Sequence, residues 1–172
     1  VTYTAAYNPS TGTFSNFSQS MPGLIYTTAS LSVKLYGTIS WILADNLSET
    51  TTLDLTLVDL GSNQTYWLDN YRITTTYNSG YISQQISGSY YDFAHGQIHF
   101  STTSPVVILT GSNGPSSGCL LFSGQDDGQI RLTFNTSSLI IEADKDGDDS
   151  WEWNTEIETN PAPDINQPPV AN

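Results

Sequence analysis

Asp144, Asp146, Asp148 and Asp149 crowd into six residues and Glu152 follows three places on, inside the stretch Glu142 to Trp153, EADKDGDDSWEW. Aspartates at alternate positions, with Gly147 among them, bring several carboxylate oxygens around one point when the backbone turns tightly. Hard oxygen donors in that number suit calcium, whereas magnesium takes fewer protein ligands and keeps its waters. The helix-loop-helix calcium template, Asp-x-Asp-x-Asp-Gly with a distal bidentate Glu, is not met. Gly147 falls one place after Asp146, Asp149 stands where the glycine belongs, and Glu152 comes too early. The expected calcium ligands are Asp144, Asp146, Asp148 and Glu152, with Asp149 as a further candidate. The competing explanation is an ordinary Asp/Gly turn in an acidic protein. Against it, neighbouring carboxylates repel one another unless a cation lies between them. Catalysis is the poorest use for them, since general acid-base chemistry needs carboxyls set apart by environment in a pocket.

The segments that must position this loop are strands. LIIEAD carries the chain into it, and upstream Leu31, Val33, Leu35, Ile39, Trp41 and Leu43 alternate with polar residues around Gly37. That period of two belongs to a strand with one apolar face. Leu53, Leu55 and Leu57 repeat the pattern, GSNQ at 61–64 turns the chain into TYWLDNYRITTTY, and NSG turns it again into YISQQISGSYY. Segments around Ile98 and Phe100, then Val106 to Leu109, continue the series, and CLLFSG and QIRLTF flank an Asp127-Gly128 hairpin tip. The first 23 residues, rich in Ser, Thr, Asn, Gly and Pro, read as loop apart from one short strand near Val1 to Tyr7. No apolar stripe has helical spacing. The pattern predicts an all-β fold, an antiparallel β-sandwich of about ten short strands. It forms one domain over residues 1–153, followed by an extended Pro-rich tail at 154–172.

Composition narrows the function. Four Lys plus Arg stand against 17 Asp plus Glu, a formal charge of −13, and the four cations are scattered singly. Nucleic acid and anionic membrane surfaces are therefore poor partners. Few charges with abundant hydroxyl, amide and Tyr residues suit an extracellular β-protein. A chain opening at Val1 is what a processed exported protein would show, and a trimmed chain would show the same. No stretch approaches the ~18 apolar residues of a membrane-spanning helix. Cys119, alone in CLLF, reads as a small buried hydrophobe. In a strand His95 and His99 would lie about 13 Å apart, too far to share a metal. No G-x-S-x-G elbow or phosphate loop is present, and an enzyme is not expected. Sequons at Asn16, Asn46, Asn63 and Asn135 leave glycosylation open.

Three further readings follow. The acidic stretch resembles the compact DxDGD loops of extracellular calcium-stabilised modules. SGCLLFSG, QIRLTF and IIEADKDGDD together resemble a segment of poorly characterised β-rich modules in exported Gram-negative surface proteins. The terminal QPPVAN resembles the junction that opens PKD-like and cadherin-like modules. These resemblances imply a structural or adhesive cell-surface module whose partners are neighbouring copies or adjacent domains. Thr155, Ile157 and Thr159 alternate with Glu156 and Glu158, a pattern suited to joining the sheet edge of a neighbour and so building a filament. Ten Tyr and four Trp, including Tyr66-Trp67, Tyr90-Tyr91 and Trp151-x-Trp153, supply the alternative, a carbohydrate-binding module that stacks sugars on exposed rings. Trp151 and Trp153 are expected to share a face and anchor the acidic loop.

Overall fold

The computed structural model describes residues 1–10, 13–28, 32–45 and 47–159. Among them the class is the one expected, all-β and antiparallel. The strands are β1 (Thr2–Asn8), β2 (Thr13–Thr27), β3 (Ser32–Asp45), β4 (Ser48–Asp59), β5 (Thr65–Asn78), β6 (Tyr81–Asp92), β7 (Gly96–Leu109), β8 (Ser117–Ser123), β9 (Gln129–Asn135), β10 (Ser138–Asp144) and β11 (Trp153–Glu158). All eleven belong to one sheet, and their order in it is their order in the chain. Such a meander needs only short connections, several of them tight turns. Asn78 to Gly80 and Gln125 to Gly128 make two of them, with positive φ at Gly80 and Asp127.

Six strands run 12 to 15 residues, longer than the apolar alternation suggests. The extra length is Ser/Thr-rich, and such residues pair as readily as apolar ones when a neighbouring strand already offers a ladder. For the same reason the loop expected after Tyr7 is instead β2, paired with β3 along nearly its whole length. Its Pro22-Gly23 sits at a register shift, where a missing N–H costs no ladder bond. Likewise the Ile98–Phe100 and Val106–Leu109 segments are one strand, β7, with Pro105 absorbed where its register against β8 shifts.

Residues paired across antiparallel strands share a face. One lateral row holds Met21, Gly37, Leu55, Leu68, Tyr90 and Ile98. Beside it, Tyr71, Phe100 and Phe122 form a ladder with ring centroids 5.8 and 5.9 Å apart. Gly88 lies beneath this ladder, and a Cβ there would come within 2.9 Å of Tyr71 Cα and 3.0 Å of Phe100. The opposite face carries mainly Ser, Thr, Asp, Asn and Gln. Among the described apolar residues only Met21, Val33 and Val106 are buried, and every residue of β4 is half-buried. Apolar side chains are shielded chiefly by neighbours on adjacent strands, so each strand depends most on the two beside it.

The tail expectation changes. Trp153 to Glu158 is β11, paired with β10 of the same chain, so the sheet extends past residue 153. Thr155 faces Ile141, Ile157 faces Leu139, and the Thr159 N–H reaches the Ser137 carbonyl. The alternating segment assigned to a neighbour's edge therefore completes its own sheet, where the adjoining strand is present at far higher effective concentration. Residues 160–172, Leu31 and Asn46 lie outside the described residues.

Candidate metal centre

The acidic stretch is the connection between β10 and β11. Asp144, the last residue of β10, is 2% exposed. Its Oδ1 accepts the N–H groups of Asp146 (3.2 Å) and Gly147 (2.7 Å), and its Oδ2 accepts that of Asp149 (3.0 Å). One carboxylate thus sets the path of the five residues after it. A carboxylate offers about four lone-pair sites. Three are taken by the backbone, so one remains for a ligand. The Glu152 Oε2 accepts the Lys145 N–H at 2.8 Å and closes the loop from its far end. Asp148 Oδ1 accepts the Ser150 N–H at 2.8 Å.

Gly147 (φ 73°) and Asp149 (φ 66°) occupy the left-handed region. Glycine is required at 147 on space as well: a Cβ there would sit 2.6 Å from the Asp127 carbonyl oxygen. The β8–β9 turn packs against the loop at that point, and again where Gly128 lies under the Lys145 carbonyl.

The result is convergence. Asp144, Asp146, Asp148 and Glu152 each bring one carboxylate oxygen within 4.8 Å of all the others, a group that could hold a metal ion. Asp149 is not in that group, and its recorded part is the N–H it donates to Asp144. At 4.8 Å or less, each pair of unit charges repels by about 0.9 kcal/mol or more even at the dielectric of water. A cation at the centre reverses the sign of that interaction.

The loop is fastened to the sheet by Trp151 and by an ion pair that the sequence did not single out. Arg131 on β9 and Glu142 on β10 are register partners and form a forked ion pair, Nε to Oε2 at 2.7 Å and Nη2 to Oε1 at 2.8 Å. The guanidinium hydrogen bond holds the Glu142 carboxyl below its ordinary range, and the same bond raises Arg131. The Trp151 ring lies over this guanidinium at 4.1 Å. Trp151 is thereby an anchor, as expected. Trp153 is not: it pairs with Ala143 on the opposite face and is 52% exposed. The available signal was positional, since Arg131 and Glu142 are opposite charges at facing positions of one hairpin.

Other candidates resolve simply. His99 Nδ1 is 2.7 Å from Ser89 Oγ, and His95 lies in the β6–β7 turn with its N–H on Asp92 Oδ1. Cys119 is half-buried rather than buried, and it accepts a weak bond from Thr133 Oγ1 at 3.9 Å. Asn16 is exposed on β2, where its Oδ1 accepts the Ala6 N–H, Asn63 sits in a turn, and Asn135 ends β9. No described helix is long and apolar enough to cross a membrane. Comparison with protein-family models, curated proteins and solved structures finds no match to this chain.

Proposed function

We propose that this chain is a calcium-stabilised structural or adhesive module of an extracellular cell-surface protein or filament, and that it performs no catalysis. The carrying observation is the convergence of four carboxylates on one point around the buried Asp144. Calcium is favoured over magnesium because the donors are numerous and all oxygen, and most of the cluster is exposed and adaptable rather than a rigid octahedron. Bound there, the ion joins the end of β10 to the approach of β11 and fixes the last strand of the sheet. A module loaded in a calcium-rich compartment and loosened elsewhere suits a surface protein, with neighbouring copies or adjacent domains as partners. The experiment is elemental analysis of the dialysed protein with melting in calcium and in chelator. At calcium ten times the dissociation constant, stabilisation is about 1.4 kcal/mol, or a rise of roughly 3–6 °C for a chain of this size. No bound calcium and no shift in midpoint would sink the proposal.

A further inference from the structure

The polar face carries a row of register partners that includes three aromatic residues. Tyr36, Thr56, Trp67, Tyr91 and Gln97 are successive register partners across β3 to β7. The apolar row of the same strands, Leu55, Leu68, Tyr90 and Ile98, points the other way. Trp67 is 42% exposed, and its ring lies 4.2 Å from that of Tyr91, centroid to centroid. These rings line a cleft of about 520 Å³ whose rim is polar: Asp54, Asp69 and Ser89 on one side, Gln97 and Gln125 on the other. Gln125 comes from the β8–β9 turn and reaches over the start of β7, where Gly96 leaves room for it. A Cβ on Gly96 would be 3.2 Å from the Gln125 Oε1.

We infer that this cleft binds a neutral oligosaccharide. A sugar ring has an apolar C–H face that stacks on an aromatic surface and a rim of hydroxyls that need donors and acceptors. Trp67 with Tyr91 supplies the first, and the carboxylates and amides around them supply the second. Asp54 and Asp69 disfavour anionic ligands. Trp67 and Tyr91 touch each other with their planes tilted by 42°, so each presents its own face and they leave no gap for a quaternary ammonium to be caged between rings. The row crosses five strands, about 19 Å at ordinary strand spacing, which suits a chain of several sugars rather than one. The site goes beyond the cation proposal and does not depend on it.

The test is titration of the full chain, followed by tryptophan fluorescence and calorimetry, with the hexaoses of cellulose, xylan, mannan, chitin and starch. Choline and a synthetic peptide of residues 160–172 serve as competing probes. At least one hexaose should bind, and Trp67→Ala and Tyr91→Ala should each weaken it about tenfold or more. Asp69→Asn and Gln125→Ala alter exposed side chains and should keep the fold while weakening the same ligand. Tyr81→Ala, at the far end of β6, should leave it unchanged. The inference is overturned if no hexaose binds at millimolar concentration, if only choline or the peptide binds, or if binding survives Asp69→Asn and Gln125→Ala undiminished.

Discussion

Replacing Asp144 by Asn separates two jobs that the acidic loop performs at once, shaping its own backbone and presenting oxygens to a cation. The amide keeps one oxygen, enough to go on accepting from Asp146 and Gly147, which share Oδ1. Its NH2 then replaces Oδ2 and faces the Asp149 N–H, donor against donor, at a site only 2% exposed. Losing one charge-assisted bond and stranding a buried N–H costs roughly 2–4 kcal/mol. For a chain of this length that lowers the midpoint by about 5–12 °C. Melting in chelator isolates this term, because no metal contributes there. Asp146→Asn and Asp148→Asn provide the contrast: both side chains are exposed, and in chelator their removal relieves repulsion, so the midpoint should hold or rise slightly. With calcium added, all three variants should lose the increment shown by the parent protein. If Asp144→Asn in chelator melts within about 1 °C of the parent, a shift corresponding to well under 1 kcal/mol, then Asp144 does not organise the loop.

Glu142→Gln should reveal the Arg131 clamp through pH. The Glu142 carboxyl is depressed in the fold by Arg131, so its stabilisation is present above its ordinary value of 4.5 and is lost as pH falls through the lower folded value. Urea titrations should show the variant less stable by about 0.5–1 kcal/mol at neutral pH, and the gap should close in acid. An equal gap at both ends of the range would rule out the pairing as its source. Gly37→Ala should cost more than about 3 kcal/mol, because its Cβ would collide with the Asp54 carbonyl oxygen and φ there is +129°. Soluble expression with an unchanged denaturation midpoint would contradict that packing.

Turn chemistry and alternation made much of this fold legible in the linear chain. Period-two runs such as Leu53-Leu55-Leu57, the Asn78-Ser79-Gly80 and Asp127-Gly128 turns, and the absence of helical spacing all act over a few residues. Strand formation at those places is therefore written locally. β1 was legible as the short strand near Val1 to Tyr7, but β2 was not, because it is made mostly of Ser, Thr and aromatic residues whose conformation is set by the ladder that β3 offers. The same holds for Thr155 and Ile157. Their pattern marks a strand, but only the position of β10 decides that the strand belongs to its own sheet.

The acidic loop divides in the same way. Spacing alone brings Asp144, Asp146, Asp148 and Glu152 into one short connection, since a tight turn cannot scatter them. Which of them is buried, and that Asp149 contributes an N–H rather than a carboxylate, depends on Asp144 lying at the end of the penultimate strand, beside the β8–β9 turn. Composition announced abundant Tyr and Trp, and alternation sent Tyr66 and Trp67 to opposite faces. Only the register of five strands shows that Trp67 meets Tyr91 on the polar side, because a one-residue slip in any of them would exchange the faces.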